Sequence, residues 1–191
     1  MLILYNYHMI FLHVPKTAGV AIRNHLKNFG GPTCELWGIH PIYGDLAHIS
    51  QSKLTNLVVV DDLKEYTTLC VVRNPYDRLV SVFNYLNTKP TFREFVDDLV
   101  STPQETWKVH ARPQVTFVED VSKTTVLHFE TLKTDFAQLC RSLKLPRHLS
   151  EEDMSEPRNY MSYYDAYTLD AVNRLYKNDF ETFGYELVTA V

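Results

Sequence analysis

Apolar residues along this chain fall in short runs, each closed by glycine, proline or a small polar cluster. Met9 to Val14 is unbroken enough to predict a buried strand, entered from a tyrosine-rich edge at Tyr5 and Tyr7. Val20 to Phe29 has helical spacing and is stopped by Gly30-Gly31-Pro32. The stretch 33–48, with Pro41 and glycines at 38 and 44, reads as irregular, and Ser50 or Ser52 is placed to cap a short helix reaching about Leu57. Thr67 to Val72 predicts a second buried strand, after which Asn74-Pro75 turns the chain into a helix. Thr91 caps a helix over Phe92 to Val100, Thr124 to Phe129 predicts a third strand, and Thr131 to Leu145 is amphipathic until Pro146. Glu151 to Tyr164 is polar and aromatic and reads as a loop. Thr168 to Phe180 closes the pattern as one helix, with Leu169, Val172, Leu175 and Tyr176 at helical spacing.

Strands alternating with helices predict an α/β fold built on a parallel sheet covered on both faces. In such sheets ligands lie beyond the carboxyl ends of the strands, and two stretches fall there: "PKTAG" at 15–19 and "RNPYDR" at 73–78. The 191 residues read as one domain over 1–191. An apolar content of 45% with 22% charged residues fits a water-soluble globular chain. A net charge of −4 argues against nucleic acid as a partner, since that needs a basic stripe, but leaves room for a local anion pocket. The three cysteines, Cys34, Cys70 and Cys140, are far apart and odd in number, which predicts reduced thiols and neither a disulfide framework nor a zinc site. No apolar run approaches the ~20 residues that span a bilayer, so no membrane span is expected. The N-terminal stretch lacks a basic region and a small-residue cleavage site. Together with the reduced thiols this predicts a cytoplasmic protein.

The two strand-end motifs carry the chemistry. A turn that leaves a strand and opens a helix presents unpaired N–H groups and the positive end of the helix dipole, which suits a phosphate. In "FLHVPKTAGVAI" Gly19 permits close approach, Lys16 adds charge and Thr17 adds a hydroxyl, although the P-loop spelling G-x-x-x-x-G-K-[ST] is absent. In "VVRNPYDRLVSVF" Arg73 ends a strand with a five-donor fork suited to phosphate oxygens, Ser81 adds a hydroxyl further along, and Arg78 is read as pairing with Asp77 or other acidic neighbours. Two anion-suited strand ends in one small chain point to a ligand with two separated phosphates.

Taken together, "FLHVPKTAG" and "VVRNPYDRLVSVF" resemble the two nucleotide-binding motifs of sulfotransferases, most closely the carbohydrate sulfotransferase branch that includes the heparan sulfate 2-O and HNK-1-type enzymes and bacterial relatives. "AHISQSKL", "VLHFETLKTDF" and "LYKNDFETFGYE" resemble further family segments, so the likeness runs from Phe11 to Glu186. The resemblance implies a P-loop-NTPase-like parallel sheet flanked by helices. It implies a donor, 3′-phosphoadenosine 5′-phosphosulfate (PAPS), and an acceptor hydroxyl on a carbohydrate or on another hydroxyl-bearing molecule. By position, Lys16, Thr17, Ala18, Gly19, Val20 and Ala21 would form the 5′-phosphosulfate loop, and Arg73 and Ser81 would hold the 3′-phosphate. Relatives usually carry Thr or Ser after the glycine. Val20 and Ala21 stand there in this chain, which removes hydroxyl contacts and leaves backbone N–H groups and Thr17.

Sulfuryl transfer needs in-line positioning and stabilisation of charge on the oxygen bridging phosphorus and sulfur, a role that falls to Lys16. The transferred group has little charge to neutralise, so no metal is required. The acceptor hydroxyl must lose a proton, and histidine suits that near neutral pH. His48 matches the family's histidine and is the expected base. His40 in "WGIHPIYG" and His110 in "TWKVHARPQ" are the other candidates, and His110 with Arg112 is placed to meet substrate. His13 and His128 lie in predicted strands and read as structural. Lys108, Arg158, Tyr160, Tyr163 and Tyr164 lie in irregular segments that either line a sugar cleft or pack on the core. Two rivals remain: a P-loop-type kinase, for which "LVVVDD" at 57–62 would supply a metal-binding aspartate, and a non-catalytic module of the same fold that binds nucleotide or glycan without turnover.

Overall fold

The computed structural model describes residues 1–57, 63–146 and 159–189, and these fall into two compact units. The first, residues 1–72 and 116–155, holds the sheet; the second, 73–115 and 156–191, is helical.

In the first unit the strands are β1 (Leu2–Leu4), β2 (Met9–Leu12), β3 (Thr33–Glu35), β4 (Ile39–His40), β5 (Gly44–Asp45), β6 (Thr67–Val72) and β7 (Thr124–His128). Five of them form one sheet in the order β3-β1-β2-β6-β7. β2, β6 and β7 are parallel neighbours, with Leu12 opposite Cys70 and Val72 opposite His128. The other side of the sheet differs from the all-parallel expectation. β1 runs antiparallel to both β2 and β3, because a tight 3-10 turn at Tyr5–Tyr7 and a left-handed His8 (φ 45°) reverse the chain into β2. The stretch 33–48, read as irregular, contains β3 and the small antiparallel hairpin β4–β5. Such two- and three-residue strands are too short to show a period of two in the sequence.

Side chains alternate across the sheet. Leu2, Leu4, Met9, Phe11, Leu69, Val71 and Leu127 form one buried cluster with Ile22 and Leu26 of α1 (Gly19–Phe29) and with Leu132, Phe136 and Cys140 of α5 (Leu132–Ser142). The opposite parity, Ile3, Ile10, Leu12, Cys70 and Val72, is buried as well. On that face α2 (Gln51–Leu57) reaches β6 through a hydrogen bond from Gln51 Nε2 to Thr68 Oγ1 (3.2 Å). All three cysteines are reduced thiols, and burial pushes Cys70 up to about 12.

The second unit contains α3 (Pro75–Leu86), α4 (Phe92–Ser101), α6 (Ala166–Leu175) and α7 (Lys177–Phe183). Asn74 caps α3 by accepting from the Tyr76 N–H, with Pro75 in the first turn, and Thr91 with Glu94 makes a capping box on α4. The final helix is two helices. Tyr176 leaves helical geometry (φ −113°, ψ 20°), and its buried hydroxyl donates to the Ala111 carbonyl (2.6 Å). Tyr76, Leu79, Val80, Phe95, Val172 and Phe180 are among the residues of this unit's core. None of the described helices is long and apolar enough to cross a membrane.

Candidate functional site

The chain leaves the parallel strands β2 and β6 at the same edge of the sheet. After β2 it makes a narrow turn in which the Thr17 hydroxyl, fully buried, donates to the Val14 carbonyl (2.9 Å). Lys16 (φ 66°) and Ala18 (φ 60°, ψ 22°) both adopt the left-handed conformation without being glycine. That backbone is uncommon and costs about 1–3 kcal/mol per residue, so it persists only where the surroundings enforce it. Successive residues of alternating hand turn their N–H groups into one concavity, the arrangement that receives anions. α1 follows at once, with Ala18 at its N-cap and no side-chain cap, so its first N–H groups keep their donor capacity for an incoming acceptor. Val20 is 45% exposed and Ala21 is buried; neither brings a hydroxyl.

Gly19 is required here for a reason the turn alone does not reveal. A Cβ at this position would lie 1.9 Å from Cδ2 and 2.2 Å from Nε2 of His13. His13 extends the face of β2 that carries Phe11, with the two rings stacked 6.2 Å apart, so α1 begins directly against the imidazole. The His48 ring lies 4.6 Å from that of His13, and His48 Nδ1 bonds the His13 carbonyl (2.7 Å). A carbonyl only accepts, so Nδ1 carries the proton and Nε2 is the basic nitrogen of neutral His48. Burial lowers the His48 pKa from its ordinary 6.5, opposed by the His13 carbonyl and the Asp45 charge. His40 has the reverse tautomer: its Nδ1 accepts from the N–H groups of Ile42 (3.1 Å) and Tyr43 (3.3 Å), which puts the proton of the neutral ring on Nε2.

In the second unit Arg73, 3% exposed, follows β6 directly, and its Nε donates to Asp77 (2.8 Å). Asp77 and Ser81 are one helical turn apart on α3, so they share a face. Of the partners the sequence had suggested for Arg78, Asp77 is taken by Arg73, whereas Asp179 is the acidic neighbour that interacts with its charge. Arg78 is fully buried, its guanidinium donates to the carbonyls of His110 (3.0 Å) and Arg112 (2.7 Å), and it lies 5.7 Å above the Tyr176 ring. Burial in the helical core, away from the helix surface, is the reason the pair with Asp77 does not form.

The model of the sulfotransferase family matches residues 1–186. The chain belongs to the sulfotransferase family. No curated protein and no solved structure matches it.

Within this sulfotransferase the remaining candidates are placed as follows. The His110 ring lies 4.7 Å from that of Tyr85, tilted by 40°, and the Arg112 guanidinium donates to the carbonyls of Glu105 (2.9 Å) and Trp107 (3.4 Å), tying its own loop. Lys108 is exposed. Tyr164 donates to the Tyr76 carbonyl (2.9 Å), and Tyr163 packs edge-on against Phe83 and Phe92, so both belong to the aromatic packing of the second unit. Arg158 and Asp61-Asp62 lie outside the described residues. Among the described residues no group of three or more His, Cys, Asp or Glu side chains comes together as a metal site. The residue that sequence reasoning undervalued in the first unit is His13. Its signal was its place two residues before Pro15, at the strand end that feeds the turn.

Two tests follow from the His13 contacts. Gly19→Ala should destabilise the protein by about 1–3 kcal/mol, the usual cost of overpacking, read from the urea midpoint. Adding His13→Ala should return part of the loss, and a purely additive double variant would refute the contact. The second test is pH. Because folding lowers the His48 pKa, the unfolded chain binds more protons than the folded one between the lowered value and 6.5. The stabilising contribution is complete above 6.5 and is lost as pH falls from there to the lowered value. The urea midpoint should therefore drop as pH falls through 6.5 toward the lowered value, and His48→Gln should flatten that drop.

Proposed function

We propose that this sulfotransferase moves the sulfuryl group of PAPS to an acceptor hydroxyl on a carbohydrate. The observation that carries the reading is the turn at 16–19: two left-handed non-glycine residues run straight into a helix whose N-cap offers no side chain. That turn suits the 5′-phosphosulfate through the N–H groups of Lys16, Thr17, Ala18, Gly19, Val20 and Ala21. The Thr17 hydroxyl already donates to Val14, so the contribution assigned to Thr17 is its N–H. Arg73 and Ser81 of the second unit take the 3′-phosphate, the guanidinium supplying planar charge-assisted donors.

His48 is the base in this scheme and His40 is not. The tautomer of His48 puts its basic nitrogen at Nε2, and that of His40 puts its own at Nδ1, where two backbone N–H groups donate to it. The acceptor oxygen attacks sulfur, its proton passes to His48 Nε2, and the bond from sulfur to the bridging oxygen breaks. The Lys16 ammonium meets the charge left on that oxygen. The products are a sulfate ester, a protonated His48 and 3′-phosphoadenosine 5′-phosphate (PAP). His110, beside Tyr85, is assigned to the acceptor side with Arg112, which acts there through the loop that it ties.

Lys16→Ala should lower transfer from PAPS by roughly 10²–10³ while the chain still folds, because one charge-stabilising donor is removed from a half-buried position. Full activity in that variant overturns the role of Lys16. His48→Ala should lower kcat by roughly 10²–10⁴ with PAP affinity retained in calorimetry. Normal turnover in that variant passes the base role elsewhere, and PAP binding without any turnover in the parent chain favours the non-catalytic module.

A further inference from the structure

We infer that Gln114 and Asp179 are positioning residues for Arg73, and that they determine how strongly this chain prefers nucleotides carrying a 3′-phosphate. The inference rests on the proposed reading of Arg73 as the 3′-phosphate ligand, and every residue in it belongs to the second unit.

The geometry is a relay of hydrogen bonds. The Gln114 side chain is 0% exposed, and both of its polar atoms are used on one residue. Its Oε1 accepts from the Arg73 N–H (2.9 Å), and its Nε2 donates to the Arg73 carbonyl (2.9 Å). This two-bond ring replaces the ladder partner that Arg73 lost by stepping off the end of β6. Gln114 is held in turn by Asp179, also fully buried. One carboxylate oxygen accepts from the Gln114 N–H (2.8 Å) and the other from the Val115 N–H (3.0 Å). Behind them Arg78 fixes the preceding segment through the carbonyls of His110 and Arg112.

An amide and a carboxylate in a helical core are expensive unless fully bonded, and an apolar pair of similar size would serve packing as well. What an apolar pair could not do is fix the backbone of residue 73 at both its N–H and its carbonyl. Arg73 is then held at two points, its main chain by Gln114 and its Nε by Asp77. A long side chain held at both ends loses its rotamer freedom before any ligand arrives, so a phosphate is met by a preorganised fork. "HARPQ" and "LYKNDFETFGYE" thereby gain a shared purpose: Gln114 and Asp179 are their contacting residues.

The test compares PAP with adenosine 5′-monophosphate, which lacks the 3′-phosphate, by calorimetry on the full chain well below its thermal midpoint. The parent should prefer PAP, and Arg73→Ala should remove that preference. Gln114→Met keeps volume and removes both bonds; Asp179→Asn keeps one acceptor and loses the other. Each should reduce the PAP preference by roughly tenfold while leaving affinity for the monophosphate unchanged. A merely structural role would lower the thermal midpoint and weaken both nucleotides together, which overturns the inference. So does a parent-like preference in either variant while Arg73→Ala has lost it. If the parent itself shows no preference for PAP, the 3′-phosphate reading of Arg73 fails first, and the relay falls with it.

Discussion

The parallel pairing of β2 with β6 is the constraint on which the first unit depends. It is the join between the antiparallel β1–β3 side and the parallel β7 side of the sheet. It also sets the level at which the chain leaves β2, and therefore where His13 stands. Because β2 alternates, His13 falls on the same face as Phe11 and the α1 packing residues Ile22 and Leu26. α1 must then start against an imidazole, and only glycine fits at its first position. The same imidazole lies beside His48, whose Nδ1 proton is fixed by the His13 carbonyl. One strand end thus sets the start of the helix and the tautomer of the proposed base.

The helical unit solves a different problem. Its central charge, Arg78, is buried; two of its guanidinium nitrogens donate to carbonyl oxygens, an aromatic face lies below it and Asp179 supplies opposing charge, while its Nε has no hydrogen-bond partner among the described residues. Burial raises the Asp179 carboxyl above its ordinary range, and Arg78 together with the N–H groups of Gln114 and Val115 pulls it back. Removing one member of such a network is costly because the others are left buried and unmatched. The unit can therefore carry a fixed arginine at its first residue, where a chain leaving a strand would otherwise be loose.

Much of this was legible in the sequence, for reasons that are local. Thr67–Val72 was read with the same ends as the observed β6, because a continuous apolar run followed by Asn-Pro is unambiguous. The Thr91 cap and the Gly30 stop of α1 are likewise encoded within a few residues. What stayed hidden depends on distant partners. Nothing near Leu2 says that it pairs antiparallel with Phe11, and nothing near Asp77 says that its partner is Arg73 and not Arg78. At the candidate site, Lys16, Gly19 and Arg73 were singled out by residue type and position at strand ends, and His48 by resemblance to the family's histidine. The role of His13 required the packing of α1, and the role of Gln114 required bonds across 41 residues of sequence.

The departure at Val20 and Ala21 can now be weighed physically. A phosphate loop that relied on side-chain hydroxyls would be impaired by losing them. Here the donor array is main chain: the left-handed Lys16 and Ala18 orient it, the buried Thr17 hydroxyl braces it against Val14, and the uncapped start of α1 extends it. Backbone donors are indifferent to the residue that bears them, provided that the dihedral angles are held. Two hydroxyls would add charge-assisted bonds to a phosphate of about 1.5–3 kcal/mol each, which would tighten binding without being what orients the main-chain donors. On the proposed reading, replacing them with Val and Ala lowers nucleotide affinity without removing the chemistry, because the group assigned to the bridging oxygen is Lys16 and lies on the other side of the glycine.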